Sequence, residues 1–152
     1  QQNPGFYTLN AQGTGQVAAI NYDQTPGGAT PCTPQPGCAV NSQSNPVVAG
    51  HIIEFYLTGQ GPVPGAPPDG TAPGAIATPI LPTIVTQIGF VPSSAIGYSG
   101  LAPGEPGLWQ INMTVPMALQ ATGVNPITIT MNDTPSNIGP GGTQIHTTFA
   151  VK

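Results

Sequence analysis

Apolar and polar residues alternate along several short stretches of the chain, most clearly over residues 108–115. There Trp109, Ile111, Met113 and Val115 are separated by polar side chains. Successive side chains of a β-strand point to opposite faces, so this alternation predicts a strand with one buried and one solvent-facing side. Trp109 is the only tryptophan of the chain. We expect the core to pack around this large, rigid side chain.

Other short runs have strand composition or the same period of two. The predicted strands lie at residues 5–9, 16–22, 51–58, 83–90, 94–99, 108–115, 125–131 and 144–151. Residues 91–93 are predicted to be the turn between a pair formed by residues 83–90 and 94–99. The predicted core anchors are Phe55, Trp109, Ile111, Met113, Ile129 and Phe149. No stretch has the spacing of an amphipathic helix, so the pattern predicts an all-β sandwich or barrel of two packed sheets.

Glycine and proline separate these strands. The chain has 21 glycines and 20 prolines in 152 residues, and many lie in residues 23–46 and 59–79, which show no apolar period. A chain of this length forms one domain and buries roughly 70% of its unfolded surface. We therefore expect a single β-domain over residues 1–152 with two long loops. For the second loop we favour a stiff connection over a recognition surface.

The first of these loops contains both cysteines, Cys32 and Cys38, in the sequence PCTPQPGC. Two thiols without neighbouring histidines are too few for a zinc site, and the spacing is not that of a C-x-x-C redox motif. We expect a disulfide that staples the loop, and with it an oxidising, extracellular setting. The chain begins without methionine at Gln1. We interpret it as a mature or excised part of a secreted precursor.

Charge is scarce in this chain. Charged residues make up 4% of the sequence, Lys152 is the only cation, and the formal net charge is −4. Nucleic-acid binding needs a basic patch, so we expect no nucleic-acid partner, and we expect no membrane insertion either. A surface with so few charges opposes self-association only weakly, which favours a protein that assembles with copies of itself.

The titratable side chains do not form a recognisable catalytic set. His51 and Glu54 differ by three positions and would point to opposite faces of one strand. Asp69 lies in the turn-forming sequence PPDG, and His146 is expected to be solvated. The sequence therefore predicts no enzymatic activity, no cofactor and no metal site.

Several motifs occur in a fixed order along most of the chain. They are PGFYTLN at residues 4–10, GQVAAIN at 15–21, NPVVAG at 45–50, FYLTGQGPV at 55–63, PDGTAP at 68–73 and YSGLAPGEPGLWQINMTVP at 98–116. In this order they resemble an uncharacterised C-terminal domain of Solibacter-type acidobacteria, found at the end of long secreted or surface proteins. The resemblance implies an extracellular, immunoglobulin-like antiparallel β-sandwich of about 7–9 short strands. It carries over no catalytic residue.

That family unit usually has another β-sandwich before the segment matching residues 4–10, so a sheet edge is expected to be exposed here. Together with the low charge, this leads to a first hypothesis: a non-enzymatic extracellular subunit that assembles into a filament or surface layer through a terminal strand. The candidate assembly residues are Phe6, Tyr7, Leu9, Ile145, Phe149 and Val151.

The alternative hypothesis is an adhesion module at the end of a larger secreted protein. It would bind a carbohydrate or cell-wall polymer, with Tyr22, Tyr56, Tyr98 and Trp109 as candidate aromatic side chains for stacking on sugar rings, although we expect Trp109 in the core. This hypothesis requires several aromatics on one exposed face, beside amide side chains.

Overall fold

The computed structural model of this chain describes residues 3–22, 40–74, 84–88, 91–93, 95–119, 123–137 and 145–152. The strands are β1 Gly5–Phe6, β2 Gly15–Gln16, β3 Ala19–Asn21, β4 Ile52–Thr58, β5 Ile84–Ile88, β6 Val91–Ser93, β7 Ile96–Leu101, β8 Trp109–Thr114, β9 Gly123–Met131, β10 Thr134–Pro135 and β11 Thr147–Val151. Within the described residues, no helix has the length and apolar character needed to cross a bilayer.

The strands form two sheets. Sheet 1 has the order β1-β4-β8-β7, and β3 also pairs with β4. Sheet 2 has the order β2-β11-β9-β5-β6, and β10 also pairs with β9. The pairs are antiparallel except for β2 with β11, which run parallel. Two packed sheets of mostly antiparallel strands form a sandwich, so the predicted all-β sandwich is confirmed.

The core lies between the two sheets. Along β8 the burial alternates residue by residue, as the hydrophobic pattern predicts. The Phe55 ring of β4 packs edge to face against Phe6, with centroids 5.7 Å apart, and against Phe149 of β11 at 5.6 Å. The second contact joins sheet 1 to sheet 2. The six predicted anchors all lie in this buried cluster: Phe55, Trp109, Ile111, Met113, Ile129 and Phe149.

The prediction for residues 83–99 is wrong in its pairing. Val91–Ser93, the predicted turn, is strand β6 and pairs with β5. Ile96–Leu101 crosses to sheet 1 and pairs with β8 instead of with residues 83–90. Pro92 suggested a turn, but β6 is the outermost strand of sheet 2, where a proline needs no ladder partner on its open side. The predicted disulfide of Cys32 and Cys38 lies outside the described residues.

The N-terminal segment contributes to both sheets in turn. β1 pairs with β4 in sheet 1, β2 pairs with β11 in sheet 2, and β3 returns to β4. Asn137 fixes this path: its Oδ1 accepts a hydrogen bond from the Phe6 N–H (2.8 Å), and its Nδ2 donates to the Gly13 carbonyl (2.9 Å). The predicted single strand at residues 16–22 is therefore two short strands on different sheets.

Candidate binding face

All four tyrosines of the chain lie on the outer face of sheet 1. Tyr56 lies opposite Gln110, and the Tyr7 N–H donates to the Tyr56 carbonyl (3.1 Å), which places these side chains in one row. Residues directly opposite each other on neighbouring strands share a face. The next row across the sheet is Tyr98, Asn112, Glu54 and Ile20.

Tyr22 belongs to the same surface, because its N–H donates to the carbonyl of Ile52, the residue before the buried Ile53 (3.0 Å). We call this surface the tyrosine face and define it by Tyr7, Tyr22, Glu54, Tyr56, Tyr98, Gln110, Asn112 and Thr114. The core-facing side of the same strands holds the apolar anchors. The two sides follow directly from the period of two in β4 and β8.

A carboxylate and two amides form a hydrogen-bonded network at the centre of the tyrosine face. The Tyr56 hydroxyl donates to Glu54 Oε1, and Gln110 Nε2 donates to Glu54 Oε2 at 2.8 Å and to Asn112 Oδ1 at 2.9 Å. Burial raises the pKa of Glu54, against hydrogen bonds from Tyr56 and Asn112 that lower it. Burial and the nearby Glu54 carboxylate also raise the pKa of Tyr56, so its hydroxyl stays a donor.

A groove of about 200 Å³ crosses one end of the tyrosine face. Its lining is Tyr22, Ile52, Gly97, Tyr98, Asn112, Met113 and Thr114. Tyr22 follows β3 and Tyr98 lies on β7, so β4 and β8 run between them and the two tyrosines stand roughly 14 Å apart across the strands. The Tyr98 hydroxyl donates to the Leu101 carbonyl at 2.7 Å, which fixes its ring at the edge of the sheet.

This groove combines the aromatic rings of Tyr22 and Tyr98 with the polar side chains of Asn112 and Thr114. Burial raises the pKa of both Tyr22 and Tyr98, with the Glu54 carboxylate adding to the effect at Tyr22. Both phenols therefore remain neutral, and their rings present an apolar body with one polar tip.

Trp109, the fourth aromatic of the carbohydrate hypothesis, is not part of this face. Its side chain is fully buried between the sheets, and its Nε1 donates to Ser99 Oγ at 3.0 Å. Tyr7, which the hypothesis did not include, lies on this surface instead, with 48% of the residue exposed. Assigning Tyr7 to this face requires the register of β1 on β4, which no local pattern in the sequence gives.

The candidate assembly residues divide into two groups. Phe6, Phe149 and Val151 are buried in the protein's own core, and Ile145 is half-buried. Tyr7 and Leu9 are exposed. The terminal strands already have partners in their own chain: β1 pairs with β4, while β11 pairs with β9 on one side and β2 on the other. β11 therefore has a strand on both sides, whereas β1 is an outermost strand of sheet 1 whose Phe6 N–H bonds the Asn137 side chain.

The other titratable residues of the described chain are dispersed. Asp69 and Glu105 lie in exposed loops, Asp133 lies in the turn between β9 and β10, and His146 is exposed just before β11. Within the described residues, no group of three His, Cys, Asp or Glu side chains is placed to hold a metal ion. The tyrosine face is thus the surface where polar and aromatic groups converge.

No protein-family model, curated protein or solved structure matches this chain. The resemblance to the Solibacter-type domain therefore stays a prediction that rests on the sequence motifs. A function has to be inferred from the tyrosine face itself.

Proposed function

We propose that this protein is a non-enzymatic extracellular binding module that holds a neutral polysaccharide on its tyrosine face. The observation that carries the proposal is the placement of all four tyrosines on one sheet face, beside the network of Glu54, Gln110 and Asn112. The C–H side of a sugar ring packs on aromatic rings, and its hydroxyls bond to amide and carboxylate groups.

The charge of the face favours a neutral polymer over an acidic one. Glu54 is the charged residue of the tyrosine face, and Lys152, the only cation of the chain, follows β11 of the opposite sheet. An acidic polysaccharide would meet a carboxylate without a compensating positive charge. A neutral chain meets hydroxyl, amide and aromatic groups instead.

The extracellular setting is supported by the sequence. The predicted loop disulfide of Cys32 and Cys38 requires an oxidising compartment. The resemblance to C-terminal domains of secreted and surface proteins agrees with that setting. A binding module in such a position would attach a longer surface protein to a cell-wall or extracellular polymer.

Affinity electrophoresis through gels that contain one soluble polysaccharide each tests this proposal. We expect retardation by at least one neutral polymer among β-glucan, xyloglucan and galactomannan, and none by alginate. Tyr22→Ala and Tyr98→Ala should each weaken binding about two- to tenfold, the effect of losing one aromatic contact. Tyr98→Phe keeps the ring but loses the hydroxyl bond to the Leu101 carbonyl, and it should retain more binding than Tyr98→Ala.

Gln87→Ala is the matched surface control, since Gln87 is exposed on β5 of sheet 2. The proposal is wrong if no neutral polymer retards the protein. It is also wrong if the double variant Tyr22→Ala/Tyr98→Ala is retarded as strongly as the Gln87→Ala control.

Self-assembly into an extracellular structure is the second candidate function. The low charge of the chain favours it, and the outer edge of sheet 1 at β7 offers one contact between copies. A larger assembly needs a further contact, and the terminal strands are already paired within their own chain. Assembly through β7 and polysaccharide binding would share residues, because Gly97 and Tyr98 of β7 also line the groove.

A further inference from the structure

The outermost strands are β1 and β7 in sheet 1 and β2 and β6 in sheet 2, and the edges at β6 and β7 differ in how well they are blocked. β6 closes sheet 2 with the sequence VPS, and its central proline cannot donate a backbone hydrogen bond. β7 closes sheet 1 with IGYSGL, which contains neither proline nor charge. Natural sheets usually protect an edge with such residues. Within the described residues, β7 pairs with β8 alone.

The hydrogen bonds to β8 show which backbone groups of β7 face outward. The Ala102 N–H donates to the Leu108 carbonyl at 2.8 Å, and the register continues as Gly100 with Gln110 and Tyr98 with Asn112. In an antiparallel ladder, residues two apart bond to the same neighbour. The N–H and C=O of Ser99, between Gly100 and Tyr98, therefore point to the open edge.

We propose that two copies of this chain pair antiparallel through β7 about a two-fold axis at Ser99. In this register each Ser99 exchanges two backbone hydrogen bonds with Ser99 of the second copy. Tyr98 of each copy then lies opposite Gly100 of the other, on the outer face of the sheet. Tyr98 stays bonded to the Leu101 carbonyl of its own strand, and Gly100 opposite it has no side chain that would obstruct the second copy.

The low charge of the chain allows two copies to approach, and the two-fold symmetry of the contact limits the assembly to a dimer. A net charge of −4 on 152 residues gives weak repulsion between copies. Because the same strand of both copies is used, the contact closes on itself and gives a dimer rather than a filament. Sheet 1 of the two copies becomes one continuous sheet, and the two tyrosine faces lie side by side. The dimer follows from the open backbone of β7 and does not depend on polysaccharide binding.

Sedimentation velocity over a range from micromolar to millimolar protein tests the proposal, with Ser99→Pro and Ser99→Ala as a matched pair. We expect the parent protein to shift with concentration from 15.3 kDa toward twice that mass. Ser99→Ala removes the Oγ that bonds Trp109 but keeps the outward N–H, so it should dimerise like the parent. Ser99→Pro removes the outward N–H and should weaken dimerisation at least tenfold. A proline is tolerated there because its nitrogen faces away from β8.

Circular dichroism and Trp109 fluorescence establish that each variant is folded. If Ser99→Pro does not fold, Gly97→Lys replaces it: a Cβ at Gly97 comes no closer than 3.8 Å to Asn112 O, and a lysine on an edge opposes pairing. Val124→Lys, at an exposed position of β9, is the control for the added charge.

The proposal is overturned if the parent protein stays monomeric at millimolar concentration, or if it grows beyond a dimer into a polymer. It is also overturned if folded Ser99→Pro dimerises like Ser99→Ala, or if Gly97→Lys dimerises like Val124→Lys. Gel retardation of folded, monomeric Ser99→Pro by neutral polysaccharide measures the tyrosine face separately, so either proposal can fail without the other.

Discussion

At the scale of single residues, Asn41 connects the two sheets through one buried amide. Its Oδ1 accepts from the Ala150 N–H (2.8 Å) and from Gln16 Nε2 (2.9 Å), and its Nδ2 donates to the Ala150 carbonyl (2.8 Å) and to Asn21 Oδ1 (2.9 Å). The Asn41 N–H donates to the Ala19 carbonyl of β3 at 2.9 Å. The side-chain amide of Asn41 therefore bonds the backbone of β11 in sheet 2, as a neighbouring strand would, and its backbone N–H bonds β3 in sheet 1.

We expect Asn41→Ala to lower the free energy of unfolding by about 1–3 kcal/mol, because it leaves buried donors and acceptors without partners. Urea unfolding followed by Trp109 fluorescence measures the change. Gln43→Ala, at an exposed position two residues away, is the control and should have little effect. Equal stability of the two variants would show that Asn41 does not hold the sheets together.

Glu54 makes the free energy of unfolding depend on pH, and the direction of this dependence follows from its raised pKa. Burial raises the pKa of Glu54 above 4.5, its ordinary value, so the folded protein binds this proton more tightly than the unfolded chain does. As the pH rises from 4.5 through the raised pKa, the free energy of unfolding falls, because the ionised carboxylate is disfavoured in the folded state.

Glu54→Gln should remove this effect. The stability of the parent protein relative to Glu54→Gln is therefore expected to decrease from pH 4.5 upward, as measured by thermal unfolding in a series of buffers. Glu105→Gln, at an exposed position, is the control for the loss of one carboxylate. A constant difference between parent and Glu54→Gln over this range would contradict the prediction.

Residue-level features were predictable from sequence where they depend on alternation. The period of two placed Trp109, Ile111 and Met113 in the core, and the structure buries all three. Asn41 could not be found this way, since it lies in a segment without apolar period and its partners are distant in sequence. The shared face of the four tyrosines likewise depends on strand register, which the sequence does not encode locally.

At the scale of elements, the attachment of the N-terminal segment depends on Gly59. The Asn3 N–H donates to the Gly59 carbonyl (3.1 Å), and a Cβ at Gly59 would occupy the position of the Asn3 carbonyl. Gly59 has φ +82°. Gly70 in the same loop has φ +78°, but a Cβ added there would have no other atom within 4 Å. The two glycines share backbone conformation and differ in the contact.

Gly59→Ala is expected to destabilise the protein by at least about 1 kcal/mol more than Gly70→Ala. Both variants carry the cost of alanine at positive φ, so the difference reports the displacement of Asn3 and β1. Urea unfolding gives the two free energies, and amide exchange at Tyr7, whose N–H bonds to Tyr56, locates the loss. The same loss in both variants would mean that the chain before β1 adjusts freely.

Strands were predictable where the pattern is long, and their pairing was not. The clear alternation of β4, β8 and β9 gave their positions to within a few residues. β6 was missed because proline is a signal for both turns and edge strands, and only its place in the sheet decides between them. β2 and β3 were predicted as one strand because their composition is continuous, although they pair with different sheets.

At the scale of the whole molecule, the period of two and the many turns were enough to predict an all-β sandwich. The completion of its core depends on contacts between residues far apart in sequence. β1 covers the end of β4, and its Phe6 packs on Phe55, which in turn packs on Phe149 of sheet 2. The N-terminal segment thus completes the core that the later strands build. No local pattern marks this role in a two-residue strand.

Deleting residues 1–9 therefore removes a part of the core and opens the edge of β4. We expect the truncated protein to lose about 3–5 kcal/mol of stability, the cost of removing a buried phenylalanine. A synthetic peptide of residues 3–9, added in excess, should restore part of the loss by pairing with β4, and the same peptide with Phe6→Ala should not. Urea unfolding of the truncated protein with each peptide measures both effects.

If the truncated protein is as stable as the full chain, β1 is dispensable, and a terminal strand cannot serve as the element that one copy donates to another. If the peptide restores stability, the groove beside β4 accepts this strand from a separate molecule, which is the step that assembly through a terminal strand requires.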